Sequence, residues 1–134
     1  MSWDVSVMRF RGVYQKLGDI PNDEECVFIG TRNAVQQAIS AYFPGVDWTN
    51  PGGGKFDSPF GSIEFQFRND DPCTGFTMHM RASEEIVAPV VAMCLENQWQ
   101  AFDMTTNLFL EKSVDPTCGL VQWQRYRNSL TTGT

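Results

Sequence analysis

His79 is the only histidine in the 134-residue chain, so any imidazole acid–base chemistry falls on it. In an alternating segment it shares a face with Thr77 and Arg81, and a cross-strand partner brings Glu64 or Gln66 beside it. This set can be read as a small acid–base site. It can also be read as a polar sheet face whose charges pair across strands for about 0.2–1 kcal/mol each. An open sheet face lacks the water-excluding pocket that catalysis needs, which favours the second reading. One histidine excludes a two-histidine nuclease and a His-rich metal site. No serine stands in a Gly-x-Ser-x-Gly elbow.

Other reactive types are scattered. Cys26, Cys73, Cys94 and Cys118 contain no C-x-x-C pair, the usual local unit of a zinc site. Cys94 follows Val90-Val91-Ala92-Met93 and reads as a small core residue. Reduced, structural thiols are expected, with no metal and no other cofactor. Pro51-Gly52-Gly53-Gly54-Lys55 has the composition of a phosphate cradle, but Lys55 is followed by Phe56-Asp57 and not by a Ser/Thr that opens a helix. Residues 45–61, with five glycines and two prolines, therefore read as loop. Asp103 ends an apolar strand beside Thr105 and Thr106. A carboxylate there caps a turn by accepting backbone N–H groups more often than it catalyses.

Charge narrows the partners. Ten Lys+Arg against sixteen Asp+Glu give a net charge of −6, which weighs against nucleic acid and against an anionic membrane surface. Asp19, Asp23, Glu24 and Glu25 make the loop 16–25 the densest negative patch, and Asp70-Asp71 form a second cluster. Such loops steer a basic protein partner or are simply solvated. No run of about 18 apolar residues is present, and the start Met-Ser-Trp-Asp-Val has no basic-then-apolar leader. A cytoplasmic protein is expected.

The elements that must position these groups follow from periodicity. Ser2–Phe10 alternates, with Trp3, Val5 and Val7 on one face. Thr31 reads as an N-cap, followed by Val35, Ala38, Ile39, Tyr42 and Phe43 at helical spacing and stopped by Pro44-Gly45. Ser62–Arg68 and Phe76–Arg81 alternate around Asn69-Asp70-Asp71-Pro72 and predict an antiparallel hairpin. Ser83-Glu84-Glu85 looks like a cap and acidic first turn for an apolar helix ending near Asn97. Pro89 would kink that helix unless it starts nearer the proline. Trp99–Asp103 and Leu108–Glu111 predict a second hairpin. Asp115-Pro116 opens a last helix carrying Leu120, Trp123 and Tyr126 and ending around Asn128, with a polar tail at 129–134. Trp3, Trp99, Trp123 and Tyr126 are expected in the core.

The order predicts one α+β domain over 1–128. It is a two-layer sandwich with an antiparallel sheet in the ferredoxin-like βαββαβ order, plus a C-terminal β-hairpin and helix. Both helices would cover the apolar sheet face. The other face would present Asp4, Ser6, Glu64, Gln66, Arg68, Thr77, His79 and Arg81 outward.

Several segments resemble a family of small uncharacterised bacterial proteins. They are Met-Ser-Trp-Asp at the start, Gly61–Phe65, Met78-His79-Met80-Arg81, Ala101-Phe102-Asp103 and Trp123–Arg127. Proteins of this sort are similar in type to the immunity proteins that accompany polymorphic toxins: small, acidic, cytosolic and without catalytic signatures. The resemblance implies a non-enzymatic binding protein, an immunity-like inhibitor that meets a basic partner through its acidic loops. Residues expected at the partner surface are Asp19, Asp23, Glu24, Glu25, Glu64, His79 and Arg81. The alternative is a small enzyme or ligand-binding domain built on the face around His79 and Arg81.

Overall fold

Alternation of side chains builds the sheet. The computed structural model describes residues 2–14 and 17–131, and its first strand, β1 (Trp3–Met8), buries Trp3, Val5 and Val7 while leaving Asp4, Ser6 and Met8 half-buried. β2 (Gly53–Ser58), β3 (Gly61–Phe67), β4 (Gly75–Ala82), β5 (Gln100–Asp103) and β6 (Leu108–Phe109) complete a six-stranded sheet in the order β2-β3-β4-β1-β5-β6. Each neighbouring pair is antiparallel. Register aligns the apolar residues into rungs: Ile63–Met80–Trp3, Phe65–Met78–Val5 and Phe67–Phe76–Val7. All nine are buried, and burying a side chain of this size stabilises by about 1.5–3 kcal/mol. The intervening Glu64, Gln66 and Arg68 are exposed, as their period requires.

Three helices cover the apolar rungs. α1 (Arg32–Tyr42) starts where the Thr31 hydroxyl accepts the Ala34 N–H at 3.2 Å, a cap worth about 1 kcal/mol. It buries Val35 and Ile39. α2 (Val87–Asn97) follows a 3-10 turn at Glu84–Ile86. Pro89 thus falls in the first turn, where its missing N–H costs no helical bond. Ser83 makes no side-chain cap; its hydroxyl donates to the Phe60 carbonyl at 3.3 Å instead. Gln98, at φ 59°, stops the helix and turns the chain into β5. α3 (Cys118–Thr131) is preceded by Asp115, whose Oδ1 accepts the Thr117 N–H at 3.1 Å. It buries Leu120 and Trp123. The helix runs past Asn128 to Thr131; the rest of the expected tail, 132–134, lies outside the described residues. Buried residues of all three helices join the strand rungs in one hydrophobic cluster.

Four sequence expectations are corrected. Residues 53–58, expected as loop, form the edge strand β2. Its glycines allow this: a Cβ on Gly53 would overlap the Phe65 carbonyl, and one on Gly54 the Trp48 ring. The second hairpin is short, because Leu110–Lys112 coils into a 3-10 turn after Phe109. Tyr126 is 56% exposed and lies outside the core. The face opposite the helices is not open throughout. At the β5 end, the segment after β1 folds over it: Gln100 is buried, its Nε2–H donates to the Gly12 carbonyl at 2.9 Å, and Phe10 meets Phe109 edge-on. Among the described residues no helix is long and apolar enough to cross a membrane.

Candidate functional site

The even positions of β1 and the polar positions of β3 and β4 meet on the open face. Asp4, His79, Glu64 and Lys55 lie level across four neighbouring strands. The His79 ring is held at both ends: Nδ1–H donates to Asp4 Oδ1 at 2.8 Å, and Nε2 lies 2.7 Å from Gln66 Oε1. The Gln66 amide can present its oxygen to Nε2 or, turned over, its nitrogen. In both arrangements neither nitrogen is open to a substrate. The side chains of His79 and Asp4 are 28% and 36% exposed, so this is a surface pair worth about 0–1 kcal/mol. Arg81 and Glu64 approach at 3.9 Å, both about half-exposed. Ser6 and Thr77 hydroxyls lie 3.4 Å apart on the next rung.

Two hollows flank Gln66. One, about 540 Å³, runs past the Gly53–Lys55 backbone to Glu64 and His79. The other, about 210 Å³, opens over Gly75, between Met8, Arg68 and the exposed Cys26. A Cβ on Gly75 would overlap the Val7 carbonyl of the neighbouring strand. Both hollows are open to solvent, and among the described residues no three of His, Cys, Asp and Glu converge as metal ligands.

The acidic loop is not one surface. Asp23, Glu24 and Glu25 line a small hollow with Arg11, whereas Asp19 sits apart on the turn Leu17–Asp19. Glu24 is turned inward and accepts the Tyr14 hydroxyl; this bond holds its carboxyl below the usual range and pushes the Tyr14 phenol up. Glu24 therefore fastens its loop to the 10–14 segment, and Asp19, Asp23 and Glu25 remain exposed. Of the expected partner residues, the fold brings Glu64, His79 and Arg81 together and sets the loop acids elsewhere. Asp70 and Asp71 are likewise engaged with backbone: Asp70, half-buried, accepts the Thr74 N–H and hydroxyl at Oδ2 at 3.1 and 2.8 Å, and Asp71, exposed, caps α1 at the Arg32 N–H at 3.0 Å.

Asp103 is the turn cap that its threonines suggest. Oδ1 accepts the Thr105 N–H at 2.8 Å, and also the Trp3 indole N–H at 3.0 Å. It is 1% exposed, and its second oxygen packs on Gly119 at the start of α3, where the helix dipole favours a negative charge.

One polar group was not anticipated. Glu111 reaches under the end of α2, where Oε2 accepts the Ala101 N–H at 3.0 Å while Oε1 is buried without a protein partner. Burial pushes its carboxyl up. It also pushes up the thiol of neighbouring Cys94, which makes that cysteine an inert core group and not a nucleophile. All four cysteines are free thiols; Cys94 is buried as expected, Cys73 is buried as well, and Cys26 and Cys118 are exposed. Set beside known proteins, the chain matches no family model, no curated protein and no solved structure.

Proposed function

We propose that the protein is a non-enzymatic binding domain of the bacterial cytosol, an immunity-like inhibitor that holds a basic protein partner on its open sheet face. One observation carries this reading: both nitrogens of the only histidine are tied to Asp4 and Gln66 on a solvent-facing sheet. A general base needs a nitrogen within reach of its substrate, and this ring has none. Polar side chains fixed in place before binding lose little entropy on contact, which suits recognition. Carboxylates Asp4 and Glu64 on the face, and Asp19, Asp23 and Glu25 on the loop, would meet the partner's cations. The loop acts through the association rate and the face through the bound complex.

The strand order β3-β4-β1-β5, with α1 and α2 in the connections, supports a split-βαβ, two-layer core extended by β2 at one edge and by β6 and α3 at the other. Such a core leaves one sheet face free for a partner.

The test is co-purification with the product of the adjacent gene, followed by titration calorimetry of the purified pair. Wild type should form a complex, and His79→Ala with Gln66→Ala should weaken it about tenfold or more without unfolding the domain. Absence of a complex, or equal affinity for the variant, would overturn this reading.

A further inference from the structure

We infer that the outer face of α2 is a self-association surface, through which two copies pair antiparallel about a two-fold axis near Val91. This surface belongs to the helix side of the sheet and is independent of the polar face around His79. α2 carries apolar residues outward as well as inward: Ala88, Ala92 and Leu95 are exposed, Leu95 by 57%. With Val87, Val91 and Pro116 they line a groove of about 410 Å³. The alanines leave room for a second helix to approach to about 8–10 Å between axes.

The charges at the two ends of this stripe select a second copy as its occupant. Exposed Glu84 and Glu85 stand at the N-terminal end, and Glu84 lines the groove. Leu95 also borders a second hollow, lined on its far side by exposed Arg9 and Lys112, and the Arg9 guanidinium donates to Gln98 at 3.2 Å. Glu84 stands on the 3-10 turn that leads into α2 and Gln98 is the residue that ends it, so the two mark opposite ends of the helix on either side of Val91. An antiparallel two-fold therefore sets Glu84 of one copy level with Gln98 and Arg9 of the other, twice by symmetry. Glu96, the one carboxylate within α2, lines neither hollow; Glu111 lines the second, but its Oε2 is engaged with the Ala101 N–H and its Oε1 is buried.

Sedimentation equilibrium on the whole chain, from micromolar to millimolar concentration, tests the pairing. Wild type should show a monomer–dimer equilibrium, and Ala92→Glu, at an exposed position, should abolish it. Glu84→Arg and Arg9→Glu should each weaken dimerisation about tenfold, and the double variant should return to within about threefold of wild type. A wild type that stays monomeric, or an Ala92→Glu variant that dimerises unchanged, would overturn the surface. Single charge reversals without rescue in the double variant would overturn the antiparallel arrangement.

Discussion

Trp3 and Asp4 are neighbours in β1, yet their side chains enter different physical worlds. Trp3 points into the core and donates its indole N–H to Asp103, which is 1% exposed and packed against Gly119. Asp4 points outward and accepts from His79, with both side chains about one-third exposed. Each is a carboxylate receiving a ring N–H at about the same distance. In the core, loss of one partner strands the other without water; on the open face, water replaces whichever partner is lost. The inner pair therefore fixes the architecture, and the outer one can change with little effect on folding.

Breaking the inner pair should give the largest effect. Asp103→Ala leaves the Trp3 N–H and the Thr105 N–H unpaired, and urea denaturation should show a loss of about 2–4 kcal/mol. Gly119→Ala pushes a methyl into the Asp103 carboxylate and should cost about 1–3 kcal/mol. The two should be strongly non-additive, because removing the carboxylate makes room for the methyl; additive losses in the double variant would break the assigned contact. His79→Ala and Asp4→Ala should each cost less than about 1 kcal/mol, and a loss as large as that of Asp103→Ala would erase the contrast between the faces.

A pH scan sharpens the comparison further. Burial raises the Glu111 carboxyl above its unfolded value, so the folded chain holds this proton more tightly than the unfolded chain. The resulting stability is fully present below the unfolded value, near 4.5, and is lost as pH rises through the folded one. Glu111→Gln should consequently stabilise the protein at neutral pH and give progressively less advantage as pH falls through that window, with no further change below it. An advantage that does not change with pH would rule out this origin. Glu24 has the opposite sign. The Tyr14 hydroxyl lowers its folded value, so its contribution is present above the unfolded value and fades as pH falls through the folded one. Tyr14→Phe should reduce that dependence, the smallest of these effects, in the acid limb of a thermal-melting series, because backbone N–H groups of the neighbouring segment still lower the carboxyl.

What could be read from the sequence depended on how many neighbours decide a residue's fate. β3 and β4 were legible because every second residue is large and apolar and one face is covered. β2 was not: Gly53-Gly54-Lys55-Phe56-Asp57-Ser58 has a single apolar anchor, and it pairs because its glycines fit beside β3. The polar face around His79 followed from alternation alone, and so did its composition of Asp4, Glu64, Gln66 and Arg81. The inward turn of Glu24 and the burial of Glu111 depend on contacts with Tyr14 and with the end of α2. Both are products of tertiary packing, and no local pattern encodes them. Tyr126 is expected inside for its type, but among the described side chains of α3 it is Leu120 and Trp123 that sit over the core.

The placement of β1 also sets a timetable. It is the third strand from one edge of the sheet and pairs with residues 75–80 on one side and 100–103 on the other. A ribosome adds roughly 5–20 residues per second, so this segment waits several seconds after its synthesis before either neighbour exists. During that interval Trp3, Val5 and Val7 have no native sheet to join, whereas the β3–β4 hairpin can close locally as soon as it emerges. β1 therefore stays an unpaired apolar strand until β4 has been made, and its second edge stays open until β5 follows.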